Sequence, residues 1–297
     1  MRPRVKQVEN GLIAALGRSQ ALQEIRWMRS ELLKDDGRRD AGGADARLES
    51  WINRRTAGEP LQYILGSQPF GPLDIITRRP VLIPRPETEE WVRQLSARFD
   101  LRARGRTVSV LDLCTGTGCI PLMLCHIWPR GQVRVLGVDV SADAVALAKE
   151  NLEKNGSNGN EADFLRGDMF DDRLLASLSE KGKFDIITCN PPYIPSHEYA
   201  KLSKSVKEWE DPRALVGDYP LPEDRSRIEE IEADGLRFYS RLADIIPGLL
   251  VSKDGMAVLE FGIGQGSDVM NILRHLFREA ELWKDQFGKE RAFAGWT

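Results

Sequence analysis

The spacing of apolar residues changes near residue 60 of this 297-residue chain. Before that point, apolar positions such as those within 12–16 and 22–33 follow the spacing of amphipathic helices. The polar, glycine-containing stretch 34–46 predicts a break between helices, and a further helix is expected over 48–55. The pattern therefore predicts a small helical N-terminal domain over residues 1–66.

Residues 67–90 contain several prolines and predict an extended linker or hairpin. Beyond them, apolar runs alternate with helical patterns, which is typical of buried parallel strands joined by helices. The runs are VSVLDL (108–113), VRVLGVDV (133–140), FDIITCN (184–190) and MAVLEF (256–261). Ser141 predicts a helix N-cap, and the segment 280–297 predicts two strands joined by a turn at Gly288. An α/β doubly wound domain is thus expected over residues 91–297.

Composition and charge narrow the class of protein. Hydrophobic residues make up 41% and charged residues 29%, as in ordinary globular proteins. The formal net charge of −3 lacks the basic excess that a DNA or RNA binder usually carries. No apolar run approaches the ~20 residues that a membrane-spanning helix needs. We expect a monomer that contacts neither nucleic acid nor membrane, with an acidic surface insertion over 218–234.

Neither the cysteines nor the histidines predict a metal site or a catalytic triad. The cysteines are Cys114, Cys119, Cys125 and Cys189, and the histidines are His126, His197 and His275. The cysteines lack the close C-x2-C pairs of zinc sites and lie within apolar segments, whereas the histidines lie in unrelated contexts. We therefore interpret the cysteines as buried apolar residues in a reducing compartment.

The stretch LDLCTGTGCIPL (111–122) combines the end of a strand, a loop of small residues and the start of a helix. Gly116 and Gly118 would let the backbone approach a ligand closely, although a tight turn is the alternative. Asp139 ends the next strand 23 residues after Gly116, near the ~20 expected of an acid that binds a ribose hydroxyl. The order D-x-C-x-G-x-G differs from the dinucleotide pattern. It resembles motif one of the class I S-adenosylmethionine-dependent methyltransferases, with Cys114 at that family's usual first glycine.

A second motif ends the strand at 184–190. Asn190, Pro191, Pro192 and Tyr193 resemble the (Asn/Asp)-Pro-Pro-(Tyr/Phe/Trp) signature of methyltransferases that act on planar nitrogens. The lone pair of such a nitrogen is delocalised, so the enzyme must orient it. The Asn190 side-chain oxygen and the Pro191 carbonyl can each accept an N–H, and Tyr193 offers a face for packing. A proline-rich loop that caps a strand is the alternative interpretation.

Further segments resemble the HemK/PrmC family, the glutamine methyltransferases of peptide-chain release factors. They occur in order over nearly the whole chain: RRTAGEPLQYILGSQPF (54–70), VLIPRPETEEWV (81–92), EWEDPRALVGD (208–218), LLVSKDGMAVLEFGIGQG (249–266) and DQFGKERAFAGW (285–296). This resemblance implies a class I S-adenosylmethionine-dependent methyltransferase fold. Its seven-stranded sheet would be mostly parallel with a C-terminal antiparallel hairpin, preceded by a helical domain that docks the factor.

The resemblance also implies site residues. Those expected to bind the cofactor are Thr115, Gly116, Thr117, Gly118, Asp139, Asp168, Met169 and Asn190. Within that set, Asp139 would bind the ribose, and Asp168 and Met169 would lie beside the adenine. Those expected to hold the substrate glutamine are Asn190, Pro191, Pro192 and Tyr193, with Arg85, Glu87 and Thr88 bordering the cleft. The catalytic residues among them would be Asn190, Pro191 and Tyr193. For Arg85 and Glu87, the alternative is a structural ion pair between them. For Glu260, the alternative is a structural role at the end of a strand, accepting hydrogen bonds from a neighbouring loop.

The activity implied by the resemblance is methyl transfer from S-adenosylmethionine, without a metal. The acceptor would be the side-chain amide nitrogen of the glutamine in the Gly-Gly-Gln motif of a class I release factor. One alternative is an adenine-N6 methyltransferase acting on DNA or RNA, and another is a non-catalytic adaptor that binds the cofactor. Because the two-domain form resembles bacterial and mitochondrial members, we expect a mitochondrial location, with the cytoplasm as the alternative.

Overall fold

The computed structural model describes residues 3–35, 41–218, 220–222, 224, 227–228 and 233–297. These residues form two compact units. The first holds the N-terminal helices and a short later helix, and the second holds the main sheet with the remaining helices. Eight of the 17 residues of the predicted acidic insertion at 218–234 lie outside the described residues.

The first unit is helical, as the apolar spacing predicts. Its helices are α1 (Pro3–Leu16), α2 (Arg18–Asp35), α3 (Ala41–Thr56), α4 (Leu61–Leu65) and α9 (Lys204–Lys207). Helix α3 begins before residue 48, so the predicted break over 34–46 is too long, because alanines such as Ala44 and Ala46 favour helix in a polar stretch. The core includes Leu12, Met28 and Ile52.

Seven strands of the described residues form the main sheet of the second unit. They are β3 (Val108–Leu113), β4 (Val133–Asp139), β5 (Glu161–Arg166), β6 (Ile186–Cys189), β7 (Met256–Glu260), β8 (Glu279–Lys284) and β9 (Glu290–Trp296). Their order is β5-β4-β3-β6-β7-β9-β8, and β9 runs antiparallel to both of its neighbours. The predicted mostly parallel sheet with a C-terminal antiparallel hairpin is therefore confirmed, with Gly288 in the hairpin turn at φ 75°.

Helices cover both faces of this sheet. They are α5 (Pro86–Arg98), α6 (Cys119–Ile127), α7 (Ala142–Asn155), α8 (Asp172–Glu180), α10 (Arg237–Leu249) and α11 (Gly266–Leu273). One apolar core includes Trp91, Met123 and Phe164, and the other includes Tyr239 and Phe293. Two apolar layers around a mostly parallel sheet are what a doubly wound domain requires.

Two elements differ from the sequence pattern. Strand β5 has no apolar run because it lies at the edge of the sheet, where alternate side chains stay partly exposed. Residues 67–90 contain the hairpin of β1 (Ser67–Phe70) and β2 (Leu73–Ile76), and then the start of α5. Pro86 occupies the first turn of α5, where its missing N–H needs no partner. The division into 1–66, 67–90 and 91–297 stays a prediction.

Among the described residues, no helix is both long enough and apolar enough to cross a bilayer. The described residues also contain no group of three or more histidine, cysteine or acidic side chains arranged to hold a metal ion.

Asp185 ties the amino ends of β3 and β6 together. It is fully buried and accepts hydrogen bonds from Arg106 Nη2 at 2.6 Å and from the Ser109 amide at 2.9 Å. Burial raises the pKa of this carboxyl, but the bonds from Arg106 and Ser109 outweigh burial, so the pKa lies below its usual value. Its contribution to stability is therefore present near neutral pH and is lost as the pH falls through the lowered pKa.

We expect Arg106→Met to lower the free energy of unfolding by roughly 1–2 kcal/mol near pH 7, because a buried carboxylate loses its half-exposed partner. The difference from the native protein should shrink as the pH falls through the lowered pKa of Asp185, because the group is then protonated in both proteins. Urea unfolding at several pH values measures this, with Arg102→Met on the exposed surface as the control. A difference that does not depend on pH would contradict the assigned role.

Candidate active site

The candidate site lies at the carboxyl ends of the parallel strands. Strand β3 pairs with β4 on one side and with β6 on the other. After β4 the chain continues to β5 at one edge of the sheet, whereas after β6 it continues to β7 on the opposite side. Such a reversal leaves a crevice above the strand ends. The loop after β3 contains Cys114 and Gly116, and the loop after β6 contains Asn190, so both loops border this crevice.

The loop after β3 is held by its backbone conformation. Cys114, Gly116 and Gly118 have φ values of 57°, 55° and 76°, in the left-handed region that favours glycine. A Cβ on Gly118 would lie 2.8 Å from the Phe164 ring, so this glycine lets α6 pack closely on the sheet. A Cβ on Gly116 would meet no atom within 4 Å, so open space lies beside that residue.

Asp139, the last residue of β4, is hydrogen-bonded to the backbone on both sides. Its Oδ2 accepts from the Gly116 amide at 2.8 Å, and its Oδ1 accepts from the Ser141 amide at 2.9 Å. Burial raises the pKa of this carboxyl above its usual value, while the two backbone bonds oppose that shift. Ser141 is the N-cap of α7, as predicted, with its hydroxyl accepting from the Ala144 amide, so Asp139 need not serve as that cap.

A single cavity contains six of the predicted site residues: Gly116, Asp139, Asp168, Met169, Asn190 and Pro192. Eight others do not line it: Thr115, Thr117, Gly118, Pro191, Tyr193, Arg85, Glu87 and Thr88. Of these, Thr115 and Thr117 are buried beneath the loop, where the Thr115 amide donates to the Val138 carbonyl. The cavity combines the Asp139 carboxylate at the end of β4 with apolar side chains, and it is also lined by Asp168, Asp211 and Arg213. A carboxylate beside apolar surface suits a planar apolar group attached to a hydroxylated ring.

The stretch after β5 forms one wall. Asp168 Oδ1 accepts from the Phe170 amide at 2.9 Å, and the Met169 sulfur lies 4.0 Å from the Cys114 sulfur. Phe170 also lines the cavity and packs edge-on against Phe238, with ring centroids 5.2 Å apart. Sequence reasoning missed Phe170 as a site residue, although its aromatic side chain directly follows the predicted Met169.

A second wall is built from two segments of the chain, 80–82 and 211–214. The Asp211 amide donates to the Pro80 carbonyl at 2.9 Å. Arg85 Nη2 donates to both carboxylate oxygens of Glu210 at 2.7 and 2.8 Å, and the Ile83 amide also approaches Glu210. These bonds hold the two segments together beside the cavity.

Arg85 and Glu87 each form an ion pair with a residue from a distant part of the sequence. Arg85 pairs with Glu210, whose side chain is only 1% exposed, and Glu87 pairs with Arg291 at 3.5 Å. Each of the two groups thus has an ion-pair partner that is distant in sequence, and a pairing of Arg85 with Glu87 stays a prediction.

The loop after β6 is rigid at both ends. The Tyr193 carbonyl accepts from Gln265 Nε2 at 2.8 Å, and its amide donates to the Leu215 carbonyl at 3.2 Å. Burial raises the pKa of the Tyr193 phenol, so the side chain stays neutral. At the start of the loop, Asn190 Nδ2 donates to Thr88 Oγ1 at 3.2 Å. The motif therefore presents an asparagine amide at the cavity beside a fixed tyrosine.

Comparison with known proteins adds family relationships to this geometry. The Methyltransferase small domain family matches residues 93–207, and the PrmC N-terminal domain family matches residues 22–66. The release factor glutamine methyltransferase of Bacillus anthracis is 32% identical over 95% of this chain and 92% of its own length. That of Thermodesulfovibrio yellowstonii is 38% identical over 82% of this chain and 78% of its own.

Two further similarities involve a mitochondrial relative and a solved structure. The mitochondrial MRF1 N(5)-glutamine methyltransferase of Saccharomyces cerevisiae is 37% identical over 67% of this chain and 60% of its own length. Among solved structures, the SAM-dependent methyltransferase from Agrobacterium tumefaciens aligns over 77% of this chain and 69% of its own. Its TM-score is 0.49 at 17% sequence identity.

Cys114 gives a test of the strain in the loop. Because its φ is in the left-handed region, we expect Cys114→Gly to be more stable to unfolding than Cys114→Ala by about 1 kcal/mol. Cys125, inside helix α6, is the matched control, since there the glycine variant should be the less stable by roughly 0.5–1 kcal/mol. Urea unfolding of the four variants measures both differences, and the same order at both positions would contradict the prediction.

Proposed function

Because the chain belongs to the release factor glutamine methyltransferase family, we propose that it methylates the side-chain amide nitrogen of the glutamine in the Gly-Gly-Gln motif of a class I release factor. The methyl donor is S-adenosylmethionine. The observation that carries this proposal is the Asn190 amide, which lines the cavity and is anchored by one of its two polar atoms. Its other polar atom, Oδ1, accepts no hydrogen bond from the described residues.

The cavity residues fit the cofactor. Asp139 offers a carboxylate for the ribose hydroxyls, and the open space beside Gly116 leaves room for a ligand to approach the backbone. Val138, Met169 and Phe170 supply apolar and aromatic surface for an adenine ring. These residues would hold the cofactor without a metal ion.

Asn190 and the following residues orient the acceptor nitrogen. When bound, S-adenosylmethionine supplies an electrophilic methyl group that moves to the amide nitrogen as the carbon–sulfur bond breaks and the nitrogen releases a proton. Asn190 Oδ1 accepts one N–H of the glutamine, and the Pro191 carbonyl accepts the other. The prolines and the bonds at Tyr193 keep these acceptors in place, so that much of the rate comes from positioning.

The partners and location are part of the same proposal. The N-terminal domain predicted over residues 1–66, which includes the match to the PrmC N-terminal domain, docks the release factor, and the protein acts as a monomer. The yeast mitochondrial relative supports a mitochondrial location, whereas the bacterial relatives support the cytoplasmic alternative. Fractionation of source cells, followed by detection of the endogenous protein, distinguishes the two. No observation favours the adenine-N6 alternative, and the net charge of −3 weighs against it.

The reaction is tested with labelled S-adenosylmethionine, a release factor, its loop Gln→Ala variant and duplex DNA. We expect label on the intact factor only, mapped to the loop glutamine by mass spectrometry. Asn190→Ala should lower kcat by on the order of 100-fold, because the orientation of the acceptor is lost. Asn271→Ala, at an exposed position of α11, is the control. Label on DNA, or full turnover by Asn190→Ala, would contradict the proposal.

Asp139→Asn tests the cofactor site. Replacing the carboxylate should weaken cofactor binding roughly tenfold or more, because hydrogen bonds to a charged acceptor are among the stronger ones. Burial raises the pKa of Asp139, so the affinity of the native protein should also fall with decreasing pH sooner than an ordinary aspartate would allow. Calorimetric titration measures both effects, with Asp143→Asn on the exposed face of α7 as the control. A Kd unchanged within twofold would exclude this role.

A further inference from the structure

Three side chains beneath the candidate site form a hydrogen-bonded chain that the proposed reaction does not by itself explain. Asn190 Nδ2 donates to Thr88 Oγ1 at 3.2 Å, and Thr88 Oγ1 donates to Glu260 Oε2 at 2.6 Å. Trp91 Nε1 donates to the same Glu260 oxygen at 2.7 Å. Thr88, Trp91 and Glu260 are each at most 2% exposed, so water does not compete for these bonds.

The local structure explains why the chain forms. Thr88 and Trp91 lie three residues apart in the first turns of α5, so both side chains point from the same face of that helix. Glu260 is the last residue of β7, and its backbone carbonyl accepts from the Tyr239 hydroxyl at 2.7 Å. Two donors from one helix therefore meet one carboxylate oxygen at the end of a strand.

The direction of each bond follows from the chemistry of the groups. The indole of Trp91 can only donate, and the distance of 2.6 Å from Thr88 to Glu260 is typical of a hydroxyl donating to a carboxylate. The single hydroxyl proton of Thr88 is therefore directed to Glu260. Toward Asn190, the hydroxyl presents only a lone pair, so that Nδ2 of the amide faces Thr88.

Burial raises the pKa of Glu260, whereas the hydrogen bonds from Thr88 and Trp91 oppose that shift. With Glu260 ionised, the opposite orientation of the Asn190 amide would leave a hydrogen bond unmade. If Oδ1 faced Thr88, the hydroxyl would have to donate to Asn190. Thr88 Oγ1 and Glu260 Oε2 would then be two buried acceptors 2.6 Å apart with no hydrogen between them. A buried polar group without its partner is costly, so the amide stays in one orientation.

We infer that Thr88, fixed by Glu260 and Trp91, is a positioning residue that keeps the Asn190 Oδ1 directed to the substrate. This inference rests on the proposed function and deepens it. A substrate amide presents N–H donors to Oδ1 and is oriented productively, whereas a carboxylate or ester at the same place presents only acceptors. The chain thus selects a group that bears an N–H.

The test compares Thr88→Val, which keeps the shape of the side chain, with Thr88→Ser, which keeps the hydroxyl. Thr88→Val should lower kcat for the release factor roughly 5- to 10-fold, the effect expected from the loss of one neutral hydrogen bond. Cofactor Kd should stay near the native value, whereas the midpoint of urea unfolding should fall, because the buried Glu260 carboxylate loses one of its two side-chain donors. Thr88→Ser should restore most of kcat, and Thr107→Val, at the opposite end of the sheet, should leave it unchanged.

A second readout does not depend on activity. In 15N NMR spectra, the Asn190 side-chain amide, assigned by its absence from Asn190→Ala, should exchange slowly in the native protein and in Thr88→Ser. It should exchange at least several-fold faster in Thr88→Val. Native kcat together with unchanged amide exchange in Thr88→Val would overturn the inference. Failure of the native protein to label the loop glutamine would overturn the proposed function, and the NMR comparison would still decide whether Thr88 orients the amide.

Discussion

The parallel pairing of β3 with β6 is the constraint on which the candidate site depends. Leu113 and Cys189 are direct partners in that ladder, so the next residues, Cys114 and Asn190, leave neighbouring strands at the same level. The glycine-containing loop and the asparagine motif are thereby brought together although they are more than seventy residues apart in sequence. Because both strands are buried, a shift in register would disturb the packing on both faces of the sheet.

Much of the sheet could be predicted because its signals are local. Buried parallel strands appear as continuous apolar runs, and the turn at Gly288 and the cap at Ser141 are set by single residues. Strand β5 escaped prediction because an edge strand exposes alternate side chains. The start of α3 was placed too late because alanines support a helix in a stretch whose composition is otherwise polar.

The residues of the candidate site also fall into two groups: those that a local motif predicts, and those whose partners are brought near only by tertiary packing. Asn190 and Asp139 follow directly from motifs, since Asp139 ends β4 and Asn190 directly follows β6, each in a recognisable pattern. The partners of Arg85 and Thr88 could not be predicted, because Glu210 and Glu260 lie more than one hundred residues away and meet them only through tertiary packing. Spacing along the chain shows which residues share a helix face, but it does not show which carboxylate that face will meet.

The ion pair between Arg85 and Glu210 has a kinetic consequence for whatever occupies the cavity. It holds together the segments 80–82 and 211–214, which form one wall. Separating those segments would break the paired hydrogen bonds between Arg85 and the Glu210 carboxylate, which is only 1% exposed, at a cost of roughly 1.5–3 kcal/mol. Escape through this wall would therefore be slowed on the order of 10-fold or more. A bound ligand would instead enter and leave along the sides of the cavity that this ion pair does not close.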